Sequence, residues 1–138
     1  MLRARRAFTL VEVLIVVIVL GILAAIVVPQ FSSASQDATL SAAQTTLQTM
    51  RAQLELYKLQ HLGSYPTLAS FATQMTAQTD VTGAAGTDYG PYILAVPVNP
   101  FTNDATLTTN AAAAGQGWYY NETTGDFRLN DSVAHRAL

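Results

Sequence analysis

The sequence predicts an α+β fold in which one long N-terminal helix is packed by a small C-terminal antiparallel sheet. Residues 13–28 form an uncharged apolar run. Apolar residues then recur at spacings of three and four between positions 40 and 57, which is the period of an amphipathic helix. Near the C-terminus, apolar and polar residues alternate on both sides of a glycine-containing turn, which is typical of a β-hairpin.

The apolar run is long enough to cross a membrane. Counted from Phe8 to Val28 it has about 21 positions, or about 31 Å as a helix. It has no polar face, so it requires an apolar environment on every side. Glu12 is the exception, because a carboxylate near the bilayer centre costs about 2.5–3.5 kcal/mol and usually has a partner and a function. Its candidate partners are the arginines at positions 3, 5 and 6, or an α-amine created by cutting the chain before Phe8.

The residues around that cut resemble the processing site of the type IV filament proteins, the type IV pilins and the pseudopilins of type II secretion. A basic leader, a small residue, Phe8, Thr-Leu, Glu12 and a long apolar run occur in register. Ala7 stands where the family mostly has Gly. Because Ala has the next smallest side chain, we expect cleavage between Ala7 and Phe8. Gly21 and Pro29 also fall where the family has helix-weakening residues.

The resemblance implies a pathway of maturation and assembly. A membrane aspartyl peptidase, the prepilin peptidase, would remove leader residues 1–7 and methylate Phe8. Segment 8–31 would anchor the protein in the membrane and then form the filament core, where the helix between Gly21 and Pro29 loses order. Glu12 would serve assembly. The implied partners are other copies of the chain, minor pseudopilins, membrane lipid and an assembly-platform membrane protein served by a cytoplasmic ATPase.

Charge predicts the orientation of the anchor. Four basic and nine acidic residues remain from Phe8 onward, because three of the seven basic residues lie in the leader. Basic residues beside a span stay in the cytoplasm, so the N-terminus is expected there and the rest outside, in the periplasm. An acidic mature chain argues against binding nucleic acid. The chain has no Cys and therefore no disulfide. An ordinary secretory signal ending near Ala34 is an alternative, but it leaves Glu12 unexplained.

Segment 32–63 is predicted to continue the helix to about Leu62, with Gly63 as a left-handed cap and Pro66 preventing resumption. One apolar stripe is interpreted as the surface on which the rest of the protein packs. The stripe consists of Leu40, Ala43, Leu47, Met50, Leu54 and Tyr57.

The opposite face of this half-helix is polar. Arg51, Glu55 and Lys58 have spacings that allow weak pairs on the helix surface. Leu56 and Leu59 lie off the stripe, so we expect them to contact another part of the head or a neighbouring subunit.

Residues 64–138 are predicted to form a loop-rich head. Thr67 is a candidate cap for a short helix. Residues 92–96 form an apolar piece between prolines, suited to a sheet edge or a surface segment. Residues 105–109 are a candidate third strand beside the hairpin, which runs from Trp118 to Leu129 around residues 122–125. The order of helix, loop and sheet also resembles type IV filament subunits.

We find no catalytic or cofactor motif. His61 and His135 have no Cys or second His at ligand spacing, and His61 is expected to meet the last helix carbonyls or solvent. Major pseudopilins bind calcium in the C-terminal region, but no EF-hand spacing or family calcium loop is recognisable. Seven candidate oxygen donors are therefore interpreted as turn residues: Asp88, Asn99, Asn103, Asp104, Asp126, Asn130 and Asp131.

The sequence therefore indicates a structural protein, most like a major pseudopilin, which polymerises from the inner membrane into a filament in the periplasm or at the cell surface. A type IV pilus subunit or minor pilin is the alternative nearest in kind. A membrane-tethered binding domain needs no Glu12, and a secreted enzyme needs a convergent polar site that the sequence does not contain.

Overall fold

The chain begins with one long helix. The computed structural model describes residues 9–111 and 115–138, which fall into two compact units divided between Ala38 and Thr39. Helix α1 spans Leu10–Gln60 and continues through Pro29, which confirms the predicted long helix. It ends in a turn in which Leu62 and Gly63 have φ of 56° and 83°. The Gly63 amide donates to the Lys58 carbonyl at 2.9 Å, so Gly63 is the expected left-handed cap.

In the structure the head is the whole second unit, Thr39–Leu138, and from here on the name is used in that sense. It includes the second half of α1, whose predicted apolar stripe carries the rest of the unit. A 3₁₀ turn, Leu68–Ser70, leads into the short helix α2, Phe71–Thr76. Strands β1, Leu107–Thr108, β2, Trp118–Asn121, and β3, Asp126–Leu129, form one sheet, and a last 3₁₀ turn covers His135–Ala137. The buried core of the head contains Ala43, Leu47, Met50, Leu54 and Tyr57 of α1, Phe71 and Met75 of α2, and Trp118, Tyr120, Phe127 and Leu129 of the sheet.

The hairpin prediction is confirmed, and its register follows from alternation. Trp118 and Tyr120 of β2 are fully buried, whereas the residues between and after them are half-buried. Trp118 pairs with Leu129 and Tyr120 with Phe127, so the buried side chains of both strands face the same side. The side chains on this apolar face are the ones that the sheet contributes to the buried core.

The prediction of an antiparallel sheet is wrong for its third strand, because β1 pairs with β2 in parallel. Gly117 immediately precedes β2. A Cβ on Gly117 would lie 2.6–2.9 Å from backbone atoms of Asp104 and Thr106. A residue without a side chain therefore lets β2 start directly against the backbone that leads into β1. The pairing is short, since β1 has two residues.

Thr67 does not cap the short helix, which corrects a second expectation. Its side chain makes no capping bond. Instead the Glu122 carboxylate accepts from the Leu68 amide at 2.5 Å, and the Gln74 side-chain oxygen accepts from the Thr67 amide at 2.9 Å. The free amides at this helix start are therefore satisfied by a residue of the hairpin turn and by one of α2.

Arg51 makes long-range contacts rather than surface pairs on its own helix. Its Nε and Nη2 donate to the Phe127 carbonyl at 3.1 and 3.0 Å, and its Nη1 donates to the Leu138 carbonyl at 3.0 Å. Arg51 therefore connects α1 to β3, an edge strand of the sheet, and to residue 138.

The two remaining predictions for apolar residues of the head concern its surface. Residues 92–96 form no strand and run along the surface, so the sheet-edge alternative is wrong. Tyr92, Ile93 and Val96 pack against the core. Leu56 and Leu59 are 41% and 81% exposed, so neither is buried by another part of the head.

Candidate functional site

The first unit presents apolar side chains to its surroundings all round the helix. Between Leu10 and Val28, every large aliphatic side chain is at least 42% exposed. Among the residues that the structure describes, α1 is the one helix with the length and composition to cross a membrane. A helix without a polar face matches lipid or other apolar helices.

Glu12 is held by the start of its own helix. Its Oε2 accepts from the Thr9 amide and from the Thr9 hydroxyl, both at 2.9 Å, and its own amide donates to the Thr9 hydroxyl oxygen at 3.2 Å. This reciprocal arrangement is a capping box. The carboxylate therefore satisfies a helix-start amide while it lies near the positive end of the helix dipole.

The sequence analysis missed the role of Thr9, although the signal was present. Thr followed three residues later by Glu, just before an apolar run, is the sequence pattern of a capping box. The sequence-based candidates for the partner of Glu12 were all charged groups, whereas the structure provides a hydroxyl and an amide.

The two predicted helix-weakening residues lie inside α1. A Cβ on Gly21 would meet no atom within 4 Å, so packing within the chain does not require glycine there. Pro29 has no N–H to continue the helical hydrogen bonds, and the Ser33 hydroxyl donates to its carbonyl at 3.3 Å. Their softening role stays a prediction. Ala7 and Phe8, the predicted cleavage and methylation positions, lie outside the described residues.

Comparison with protein families matches two adjacent parts of the chain. Residues 2–28 match the prokaryotic N-terminal methylation motif, and residues 30–117 match the family described as type II secretion system (T2SS), protein G. The chain belongs to the type II secretion system protein G family.

Individual relatives extend the protein G likeness over nearly the whole chain. A protein of Escherichia coli (strain K12) is 31% identical over 135 residues, which are 97% of this chain and 92% of the relative. A protein of Pseudomonas aeruginosa is 32% identical over 101 residues, 73% of this chain and 71% of the relative. Both are named type II secretion system core protein G. No solved structure gives a significant match.

Two of the candidate calcium donors of this protein G family member, Asp104 and Asp126, are engaged in local polar contacts, whereas the buried Oδ1 atoms of Asn130 and Asp131 have no hydrogen-bond partner among the described residues. Asp104 accepts from the Thr106 amide and hydroxyl and from the Gly117 amide, bonds that lower the pKa of its carboxyl group. Asp126 contacts Arg128 at 2.7 Å. In residues 9–111 and 115–138, no group of three or more His, Cys, Asp or Glu side chains is arranged to hold a metal ion.

His61 is a buried structural residue. Its Nδ1 lies 2.8 Å from the Tyr57 carbonyl oxygen and its Nε2 lies 2.9 Å from the Thr79 hydroxyl. The imidazole also stacks on the Tyr57 ring at 3.7 Å between centroids. The predicted contact with a late helix carbonyl is confirmed, and the solvent alternative is wrong because His61 is buried.

Proposed function

We propose that this protein is a structural subunit of a type II secretion pseudopilus, anchored in the inner membrane by segment 8–31 with its N-terminus in the cytoplasm. The observation that carries the proposal is the order of the two family matches, a methylation motif followed directly by a protein G domain. The exposed apolar start of α1 supports it, because this surface suits the bilayer before assembly and neighbouring helices afterwards. The family is a structural one, and no catalytic role is proposed.

In this proposal a prepilin peptidase cuts between Ala7 and Phe8 and methylates Phe8. Intact-mass analysis of protein extracted from membranes should give a chain that starts at Phe8 with one added methyl group. Ala7→Gly is the matched variant, and it should be processed at least as completely because Gly is smaller still. A mature chain that starts at Met1 or at Ser35 would contradict the proposal.

Polymerisation is proposed to pair Glu12 with the α-amine of Phe8 in a neighbouring copy. The α-amine has a reference pKa of about 7.7–8.0 and still carries a charge after methylation. Pairing would neutralise both charges in the apolar filament core and fix the axial register. An assembly platform, a cytoplasmic ATPase and minor pseudopilins would complete the machinery, and no nucleic acid takes part.

Variants of Glu12 separate pairing from helix capping. Glu12→Val removes both, whereas Glu12→Gln keeps an acceptor for Thr9 and removes only the charge. We expect both variants to insert and to be processed but to form no ordered filaments, and Glu12→Asp to be partly tolerated. Each is expressed with the assembly machinery, and processed protein is compared with sheared filaments. Normal filaments from processed Glu12→Gln protein would rule out the charge pairing.

A further inference from the structure

A cavity of about 380 Å³ opens on the head where α1 ends. The last turn of α1 and the residues after it form one wall, Gln74 of α2 forms another, and the loop that follows α2 forms a third. This volume is at the lower end of the range of small-molecule sites, which is about 300–1,000 Å³. None of the residues that serve the proposed anchoring, processing or assembly lines the cavity, so it requires an explanation of its own.

The buried tyrosine in the cavity wall has a hydroxyl group without a protein partner. Tyr57 is 2% exposed, yet its hydroxyl makes no hydrogen bond to any residue that the structure describes. Burial raises the pKa of Tyr57 to about 12, so the hydroxyl keeps its proton at neutral pH and is a donor. Buried polar groups in proteins are nearly always paired, so this hydroxyl indicates an occupant of the cavity that accepts from it.

Gly83 keeps the space beside this hydroxyl open. It has φ of 82°, and a Cβ there would lie 2.5 Å from the Tyr57 hydroxyl oxygen and 2.8 Å from the Gln74 side-chain nitrogen. The Gly83 carbonyl accepts from that nitrogen at 3.0 Å, and the Gln74 side-chain oxygen accepts from the Thr67 amide at 2.9 Å. The wall around the hydroxyl is therefore fixed before any ligand arrives, so little ordering entropy would be lost on binding.

The other lining groups combine hydroxyls with apolar side chains. Ser64, Thr67 and Thr82 bring three aliphatic hydroxyl groups to the cavity, and a hydroxyl can both donate and accept. Leu62 and Val81 bring two apolar side chains. This mixture suits a small ligand that itself carries several hydroxyls on an apolar frame.

The cavity offers nothing to a charged ligand. In the part of the chain that the structure describes, no Asp, Glu, Lys or Arg side chain lines it. His61 lines it, but its two ring nitrogens already contact the Tyr57 carbonyl and the Thr79 hydroxyl. An ion that is buried without an opposite charge loses its hydration without compensation. A neutral ligand is therefore favoured over a phosphate, a carboxylate or an amine.

We propose that this cavity binds a neutral saccharide, with the Tyr57 hydroxyl as the donor that orients it. A pyranose ring carries several hydroxyls and apolar C–H faces, which match the hydroxyl groups of the wall and the side chains of Leu62 and Val81. The proposal concerns the head alone and does not depend on a filament.

Saturation-transfer NMR on the full chain tests the proposal. The protein is held in a zwitterionic detergent, because a detergent with a sugar head group would compete for the cavity. Methyl glucoside is the neutral probe, glucuronate is a charged probe with the same ring, and N-acetylglycinamide is a neutral probe that resembles a peptide. We expect saturation transfer to methyl glucoside that clearly exceeds the transfer to the other two probes.

Variants assign the binding to this cavity. Tyr57→Phe keeps the ring in the core and removes the donor, so methyl glucoside should bind about three- to tenfold more weakly, the effect of one hydrogen bond. Thr67→Val should also weaken binding, since it removes a hydroxyl that makes no capping bond. Tyr119→Phe is the matched control and should bind as the parent does, because Tyr119 of β2 lies outside the cavity.

A thermal unfolding scan shows whether the variants are folded. Tyr57→Phe should keep the parent's Tm near neutral pH, because no described protein group accepts from its hydroxyl. Equal binding by folded Tyr57→Phe and by the parent would overturn the assignment of the site. Transfer to glucuronate or N-acetylglycinamide as strong as that to methyl glucoside would overturn the ligand class, and no transfer to methyl glucoside would overturn the whole proposal. Each of these outcomes leaves the proposed function standing, since that function is tested by processing and filament formation.

Discussion

Arg51 provides the sharpest test of how the head is held together. In Arg51→Met the side chain keeps its apolar stem and loses three hydrogen bonds, two to the Phe127 carbonyl and one to the Leu138 carbonyl. Hydrogen bonds from charged groups contribute about 1.5–3 kcal/mol each, and a buried acceptor left unsatisfied costs about 1–3 kcal/mol. Because Arg51 is only half-buried and its donors share acceptors, we expect a loss of about 2 kcal/mol in the free energy of unfolding.

The expected shift can be measured by thermal unfolding. For a unit of about 100 residues, 1 kcal/mol corresponds to about 4–8 °C in Tm, so Arg51→Met should lower Tm by about 10 °C. Arg51→Lys should recover only part of this, since one ammonium cannot reproduce the fork of donors that spans two carbonyls. The part of the loss that comes from the two Phe127 bonds should persist at high salt, because a peptide carbonyl is a neutral acceptor.

Arg128→Met is the matched control for Arg51→Met. Arg128 also ends in a close contact, 2.7 Å from Asp126, but its side chain is 47% exposed. Exposed ion pairs contribute about 0.2–1 kcal/mol and are screened by salt. If Arg51→Met destabilised the head no more than Arg128→Met does, the long-range bonds of Arg51 would not contribute to stability as argued.

Three further predictions concern the head. A fragment that begins near Ser32 should be soluble and monomeric and should unfold cooperatively, since the head keeps its core stripe; aggregation would show that it depends on the span. Gly125→Ala should lower Tm, because φ is 73° there and the new Cβ would overlap the Tyr65 ring. Stability should fall in acid and in strong base. The lowered pKa of Asp104 gives stability that is full above 3.8 and lost as pH falls further. Burial raises the pKa of Tyr57 from 10.0 to about 12, which gives stability that is lost as pH rises through that range. In urea titrations across pH, Asp104→Ala should show a smaller loss of stability in acid and Tyr57→Phe a smaller loss in base, because the pKa values of Asp80 and of the other buried tyrosines shift in the same directions.

The features that sequence could predict depend on local periodicity. The stripe on α1 follows from spacings of three and four, the hairpin from alternation, and the cap at Gly63 from a glycine just beyond a periodic run. Each of these patterns is complete within a few residues. The capping box of Thr9 and Glu12 was equally local, and it was missed because the partner of a carboxylate was sought among charges.

The features that sequence could not predict depend on pairs far apart in the chain. Arg51 bonds a carbonyl 76 residues away, and Glu122 replaces Thr67 as the cap of a helix start 54 residues before it. In both cases the sequence offered a plausible local alternative. For Arg51 it was a pair on the surface of its own helix, and for the helix start it was a cap by Thr67. The parallel pairing of β1 has the same origin, because a two-residue strand has no pattern that fixes its direction.

The capping box changes how the assembly role of Glu12 should be understood. In the single subunit the carboxylate already has two donors from Thr9, so a charged partner is not needed to keep it at the start of an apolar helix. Pairing with the α-amine of a neighbour would therefore either replace these bonds with a charged one or use the second oxygen of the carboxylate, since both bonds from Thr9 go to Oε2. If the α-amine binds the second oxygen, the bonds from Thr9 remain, and pairing costs less free energy than it would if they were broken, because the amide at the helix start keeps its acceptor. It also explains why we expect Glu12→Asp to be only partly tolerated, since a side chain shorter by one methylene cannot reach both Thr9 and a second chain from the same position.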